Sequence, residues 1–309
     1  GFSLIELPRP NAKFVTPSKG EPSHSDWREV EWKVDALETS RALSGLKANW
    51  LIIDHYGLWH DWQLIVSDHV GKIMVIDDLG DRKHYCDLLL DQNFGSDLLL
   101  YRDLVPERSR NFFGPKYALL RPEFSAYRAS SLEQRNGGQL KNILINFGGG
   151  DPHDYIARTL RALLNVDLSK EVTISIIFGG LGSLDERHKS LISKFLSKVK
   201  TYGMTDKMAE VLAGMDLVIG AAGSSSWERC CLGVPSIVFP VAFNQNRIAE
   251  NLAGSGAALA LDPQDLLNGK LAGSVNDFLQ GNGLKSMSVK ASRICDGSGR
   301  EKIVNELRS

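Results

Sequence analysis

The sequence predicts an α/β protein made of two parallel-sheet units. Short apolar runs alternate with stretches of helical spacing along the chain, the pattern of strand–helix–strand crossovers. Several of these runs end in Gly- or Asp-containing turns, where parallel sheets place their ligand sites. The length, 309 residues, is that of roughly two domains.

Composition narrows the function classes. Apolar residues make up 43% and charged residues 24%, as in an ordinary globular protein. A net charge of −1 argues against a nucleic-acid partner or a basic membrane patch. No apolar run approaches the roughly 20 residues of a membrane span, and no signal peptide is visible. Cys86, Cys230, Cys231 and Cys295 show no C-x-x-C spacing, and the adjacent pair is poorly placed to bridge itself. Free, buried thiols in a reducing cytoplasm are expected. A monomer is compatible with the sequence, which sets no oligomeric state.

The first unit is expected over 1–135. Residues 2–7 read as a strand and 8–25 as a polar loop. Trp27, Val30, Val34, Leu37 and Leu43 recur at helical spacing within 26–46. Buried strands follow at 50–54, ending in His55-Tyr56-Gly57, at 72–76, ending in Asp77-Asp78, and at 87–93, with a helix over 59–66. The stretch 125–139 is polar without periodicity and reads as a linker. A doubly wound domain opens with strand, Gly-rich loop and helix. Here the first domain is expected to lack that opening unit.

The second unit is expected over 136–295, with a terminal helix over 296–309 packing back on the first. A strand at 142–147 leads into Gly148-Gly149-Gly150-Asp151-Pro152, with Asp151 as N-cap and Pro152 at the first helical position. A helix over 154–164, a strand over 172–178, Gly179-Gly180 and a helix over 184–198 come next. Tyr202-Gly203-Met204 precedes a helix over 205–213 and a strand over 216–220. A helix opening at Gly223-Ser224-Ser225-Ser226, a strand at 237–239, Asn244-Gln245, a helix to 253, a strand at 257–261 and terminal helices complete the chain.

The chemistry concentrates at two turns one strand apart. A Gly/Ser turn that opens a helix points backbone N–H groups at one spot, at the positive end of the helix dipole, and so holds an anion. Ser225 and Glu228 also fit a plain capping box. Asn244-Gln245 is expected on the same sheet edge. No G-K-[ST] follows either Gly-rich turn and neither is G-x-G-x-x-G, so a P-loop and a dinucleotide cofactor are disfavoured. Asp77-Asp78 is not a D-x-D, and His60, His69, His84 and His188 lack metal spacing. No metal and no cofactor are therefore expected. Trp227 reads as core packing, and His55, Tyr56 and Asp78, at strand ends, as either acid–base candidates or plain loop hydrogen bonds and caps.

The run A-A-G-S-S-S-W-E-R-C-C-L-G-V-P-S-I-V with F-N-Q resembles the UDP-sugar hydrolase family of pseudaminic acid biosynthesis. So do D-H-Y-G, V-I-D-D-L-G-D-R, L-L-L-D-Q-N, G-P-K-Y-A-L-L-R-P-E-F and F-G-G-G-D-P. The resemblance runs from residue 1 to about residue 262. It implies a glycosyltransferase-B-like pair of Rossmann-like domains, and release of UDP from a UDP-linked 2,4-diacetamido-2,4,6-trideoxy sugar without a metal. It implies that Gly223, Ser224, Ser225 and Ser226 hold the diphosphate and that Glu228 binds the ribose. The backbone at Gly203 and Met204 would read uracil. Gly149 and Asp151 would border the diphosphate and sugar, with Gln245 beside the sugar. Tyr56 and Asn244 would contact the reacting region as catalytic residues. The family's opening loop, of the type G-x-G-H-V-x-R, has no counterpart here, and its His is expected to be missing from this chain. The alternatives are a UDP-sugar glycosyltransferase of similar fold and a catalytically impaired UDP-binding fragment.

Overall fold

The computed structural model describes residues 3–8, 21–28, 30–135, 139–149, 151, 153–180, 184–281 and 283–309. By contacts the chain forms two compact units, Gly1–Gly114 with Glu306–Ser309, and Pro115–Asn305.

The first unit holds a four-stranded parallel sheet in the order β1 (Trp50–Ile53), β2 (Lys72–Ile76), β3 (Leu88–Asp91), β4 (Arg110–Phe113). Helices α1 (Trp32–Leu43), α2 (His60–Ser67) and the short α3 (Leu98–Tyr101) accompany it. Glu31 caps α1 by accepting from the amides of Lys33 and Val34. Ile53, Ile73, Val75 and Leu89 pack with Trp62 and Val66 of α2 in one core. Trp50 Nε1 donates to Leu307 O at 2.8 Å, so the last turn of the chain belongs here.

Two expectations for this unit change. Residues 3–8 carry no regular secondary structure, and Leu4 is 81% exposed. Its apolar pattern finds no strand to pair with among the described residues, and Phe2 lies outside them. Strand β4 and helix α3 are additions that the sequence reading did not anticipate. β4 is R-N-F-F, too short and polar to stand out, and it is recruited by its register with β3 (Leu90 opposite Phe112).

The second unit holds six parallel strands: β5 (Asn142–Asn146), β6 (Thr173–Ile177), β7 (Lys198–Tyr202), β8 (Leu217–Ala221), β9 (Ser236–Phe239) and β10 (Leu259–Ala260). Their spatial order is β10-β9-β8-β5-β6-β7. The chain steps outward from β5 to β7, then returns to β8 on the other side, which puts the reversal of strand order between β5 and β8. β8 and β9 are buried along their whole length, as strands covered on both faces must be. The accompanying helices are α4 (Pro122–Gln134), α5 (Tyr155–Leu163), α6 (Glu186–Ile192), α7 (Met208–Ala213), α8 (Ser225–Cys231), α9 (Asn246–Ser255), α10 (Lys270–Leu279), α11 (Leu284–Ser292) and α12 (Gly299–Arg308).

The expected linker over 125–139 is instead mostly α4; residues 136–138 lie outside the described set. Its polar side chains misled because two of them are structural. Arg128 donates to Cys231 O, Cys295 O and Ser292 O, and Arg135 to the carbonyls of Leu212, Ala213 and Met215. Guanidinium groups here satisfy carbonyls at helix ends. α4 therefore joins the second unit, which begins at Pro115 rather than at 136. The helix expected over 184–198 ends at Ile192, and 198–202 form β7. β7 is K-V-K-T-Y on the sheet edge, where a strand tolerates polar residues on both faces. Among the described residues no helix is long and apolar enough to cross a membrane.

Candidate functional site

All strands of the second sheet run parallel, so the turns that follow them emerge at one edge. Read across the sheet, that edge carries Asn244 and Gln245 after β9, 222–224 after β8, Gly148 and Gly149 after β5, Gly179 and Gly180 after β6, and Gly203 and Met204 after β7. Two contacts pull these turns together. A Cβ built on Gly179 would stand 2.0 Å from Gly148 O, so only glycine lets the β5 and β6 turns close this far. A Cβ on Gly223 would lie 3.4 Å from Gln245 Nε2, which makes the β8 and β9 turns direct neighbours. Gln245 is oriented by its Oε1, which accepts from Val241 N at 3.1 Å. Met204 is 81% exposed at the far end, with its Sδ 3.2 Å from a Cβ built on Gly180.

The β8 turn divides its labour. Ser226 N donates to Gly223 O and Trp227 N to Ser224 O, so these two amides are spent within the turn. The Ser226 side chain is buried, and its Oγ accepts from Arg229 Nη2 at 2.7 Å. Ser224 is exposed and Ser225 half-buried, which leaves them as the outward face of the turn. Trp227 is 1% exposed, in the core as expected. Glu228 is half-buried; desolvation raises its pKa against the pull of the Arg229 and Arg121 charges.

Asp151 lies on the same edge but is engaged at a helix start. Its carboxylate accepts from Tyr155 N at 2.6 Å and Ile156 N at 2.8 Å. The N-cap position itself falls to Asp154, which takes the left-handed conformation (φ 57°). Asp151 thus caps α5 from one turn earlier than its expected position, while Gly150 and Pro152 lie outside the described residues. Beside it, the buried ring of His188 bonds Asp185 Oδ1 through Nδ1 at 2.6 Å and stands 3.7 Å from Asp154 Oδ1. Asp154, Asp185 and His188 form a polar cluster at the β5–β6 turns, and sequence spacing gave no signal for it.

Tyr56 belongs to the first unit, at the carboxyl edge of its own sheet. It is half-buried, with the Arg82 guanidinium 5.6 Å from its ring centroid and Trp27 at 5.3 Å. Gly57 N donates to His55 Nδ1 at 3.0 Å, so His55 is a turn cap; burial lowers its pKa. The central group of this edge was missed: it is Asp77, not Asp78. Asp77 accepts from Gly80 N and Tyr101 Oη, each at 2.9 Å, and Tyr101 Oη also stands 3.1 Å from Asp91 Oδ2. Tyr85 N takes Gln63 Oε1, so the Gln63 amide NH2 faces His84 Nδ1 at 3.2 Å. The His84 Nε2 edge then faces Asp77 at 3.8 Å. The signal was D-D-L-G-D-R read with L-L-L-D: acids at the ends of two adjacent buried strands must share their partners.

The two units, with all-parallel sheets and polar turns at the carboxyl edges, define an α/β protein of the glycosyltransferase-B class. The fold is that of MurG from Acinetobacter baumannii, at a TM-score of 0.65 and 16% identity over 88% of this chain and 77% of that one. Residues 143–306, just over half of the chain, match the glycosyltransferase family 28 C-terminal domain, and the chain belongs to that family. It is similar to the spore coat polysaccharide biosynthesis protein SpsG of Bacillus subtilis, at 28% identity over 66% of this chain and 58% of that protein. It is also similar to the UDP-2,4-diacetamido-2,4,6-trideoxy-beta-L-altropyranose hydrolase of Campylobacter jejuni, at 30% identity over 39% of this chain and 46% of that protein. The chain spans about half the length of the curated relatives it matches.

Proposed function

We propose that the chain binds the UDP half of a UDP-sugar along the carboxyl edge of its second sheet, and that it serves an enzyme of sugar biosynthesis. The observation that carries this reading is the contact of the Gly223 turn with Gln245, beside the glycine turns of β5 and β6. In this reading the outward residues Ser224 and Ser225 hold the diphosphate with Gly223. Glu228 accepts from the ribose hydroxyls, and Gly203 and Met204 border uracil. Gly149, Asp151 and Gln245 stand toward the sugar and Asn244 toward the reacting bond; for Tyr56, on the first unit, the family resemblance alone suggests a catalytic role.

The favoured reaction is hydrolysis at the anomeric carbon. Water forms the new C–O bond, the bond to UDP breaks, and UDP departs with its charge held by backbone amides and the α8 dipole. The likeness to the Campylobacter jejuni hydrolase favours this reaction and a 2,4-diacetamido-2,4,6-trideoxy sugar. The family 28 match favours a second reading, transfer of the sugar to an acceptor hydroxyl. Calorimetry with UDP tests the site: Ser225→Ala and Glu228→Ala are each expected to weaken binding about tenfold, the loss of one hydrogen bond to a charged group. Unchanged affinity in both rejects the assignment. UDP release from the diacetamido UDP-sugar without any acceptor supports hydrolysis; release only with an acceptor supports transfer.

A further inference from the structure

The side chain directly beneath the β8 turn is Arg229, and it is 3% exposed. Its Nη2 donates to Ala221 O and to Ser226 Oγ, each at 2.7 Å. Its Nη1 lies 3.4 Å from a Cβ built on Gly220, so the guanidinium is wedged under the junction of β8 and α8. Both acceptors are neutral, and Nε has no hydrogen-bond partner. No carboxylate among the described residues forms an ion pair with it; Glu228 acts on it only at longer range.

Of the other buried arginines, one has a counter-charge and the other, like Arg229, is held by neutral oxygens. Arg82 stands 2.6 Å from the Asp77 carboxylate. Arg135 spreads its charge over Ser131 and the carbonyls at the end of α7. A buried cation without a counter-charge is costly and persists only where something else gains from it. Burial pulls the pKa of Arg229 down to about 10, so it is still a cation at neutral pH. The outward residues of the turn above it are Ser224 and Ser225, and the one acid in the first turn of α8 is the half-buried Glu228.

We infer that Arg229 is a positioning residue for a phosphate-bearing ligand at the 223–226 turn: the guanidinium fixes the Ser226 hydroxyl from below and supplies the positive potential that the ligand's phosphates neutralise. It makes no contact with the ligand. The nucleotide part of this inference rests on the function proposed above; the anion part rests on Arg229 itself.

Calorimetry on the full chain decides it, with inorganic pyrophosphate, UDP, UMP and uridine as probes against the unsubstituted protein, Arg229→Met and Arg229→Lys. Arg229→Met is expected to lose at least tenfold for pyrophosphate and UDP, less for UMP and nothing for uridine, because the effect scales with phosphate charge. Arg229→Lys is expected to bind UDP near neutral pH and to weaken as pH rises, while the unsubstituted protein stays flat, since a buried lysine gives up its proton more readily than arginine. Equal losses for uridine and UDP mark a merely structural residue and overturn the inference, as does unchanged UDP binding. If Arg229→Met does not fold, an Arg229→Lys pH profile parallel to the unsubstituted protein overturns it. Binding of pyrophosphate but not UDP removes the uridine reading and leaves this one standing; binding of neither overturns this one.

Discussion

The Arg82 guanidinium stands 2.6 Å from the Asp77 carboxylate, and both side chains are shut off from solvent, at 2% and 0% exposure. Burial alone would raise the pKa of Asp77, but the His84 ring, the Arg82 charge and the Gly80 amide together hold it well below the usual carboxylate range. This pair is the hub of the first unit's carboxyl edge. Arg82 reaches from it to the Tyr56 ring, and Tyr101 links it to Asp91 with a single hydroxyl proton.

Replacing Asp77 by Asn removes the buried counter-charge of Arg82 and leaves it only the solvent-facing Asp81 carboxylate, 2.9 Å from its Nη1. The expected loss of stability is about 3–5 kcal/mol, read by urea denaturation. The pH dependence has a definite sign. A carboxylate with a depressed folded pKa contributes stability that is present above its unfolded pKa, about 3.9, and is lost as pH falls through the lower folded value. The steep acid-side loss of the unsubstituted protein is expected to flatten in Asp77→Asn.

Glu228 has the opposite sign. Its folded pKa is raised by burial, so the native state keeps its proton to higher pH and stability falls as pH rises through that interval. Glu228→Gln is expected to raise the thermal unfolding midpoint at pH 7 and to leave it unchanged near pH 3. In the proposed site the same substitution weakens UDP. A stabilised variant with weaker binding separates the two roles.

Gly179 and Gly223 are expected to respond differently to alanine. At Gly179 the new Cβ meets Gly148 O at 2.0 Å, and backbone on both turns must shift. At Gly223 the nearest atom is 3.4 Å away on a flexible glutamine. Gly179→Ala should lower the thermal midpoint by several degrees. Gly223→Ala should leave it within about 2 °C, an effect of under about 0.5 kcal/mol, while reducing UDP affinity. Equal destabilisation by both would contradict the geometry of the β8 turn.

Arg128 ties α4 to three carbonyls, those of Cys231, Cys295 and Ser292. Arg128→Met strands them, at an expected cost of about 1–3 kcal/mol by urea denaturation. A true linker at this place would give no change, and trypsin would cut after Arg128 in the native protein.

The core strands were legible because strands buried on both faces are unbroken apolar runs: K-I-M-V-I, N-I-L-I-N and L-V-I-G-A read directly as β2, β5 and β8. The Gly/Ser turn and Gln245 were legible as two clusters on one edge, since parallel strands leave no other arrangement. Edge strands β4 and β7 were not, because a strand with one free side needs no apolar face to be held in register. Arg128 and Arg135 made α4 look like a solvated linker, because sequence reading assigns charge to solvent by default.

The sequence by itself determined that this is an α/β protein with parallel sheets and a Gly/Ser turn opening a helix at 223–226, because these depend on local pattern and on chain order. Only the tertiary structure decided which polar groups lose water. Burial turned Asp77 and Arg82 into a fixed pair and left Arg229 as a cation bonded only to neutral oxygens. It also took Ser226 out of the turn's outward face. Desolvation is a property of what packs around a residue from distant parts of the chain, and local spacing does not record it.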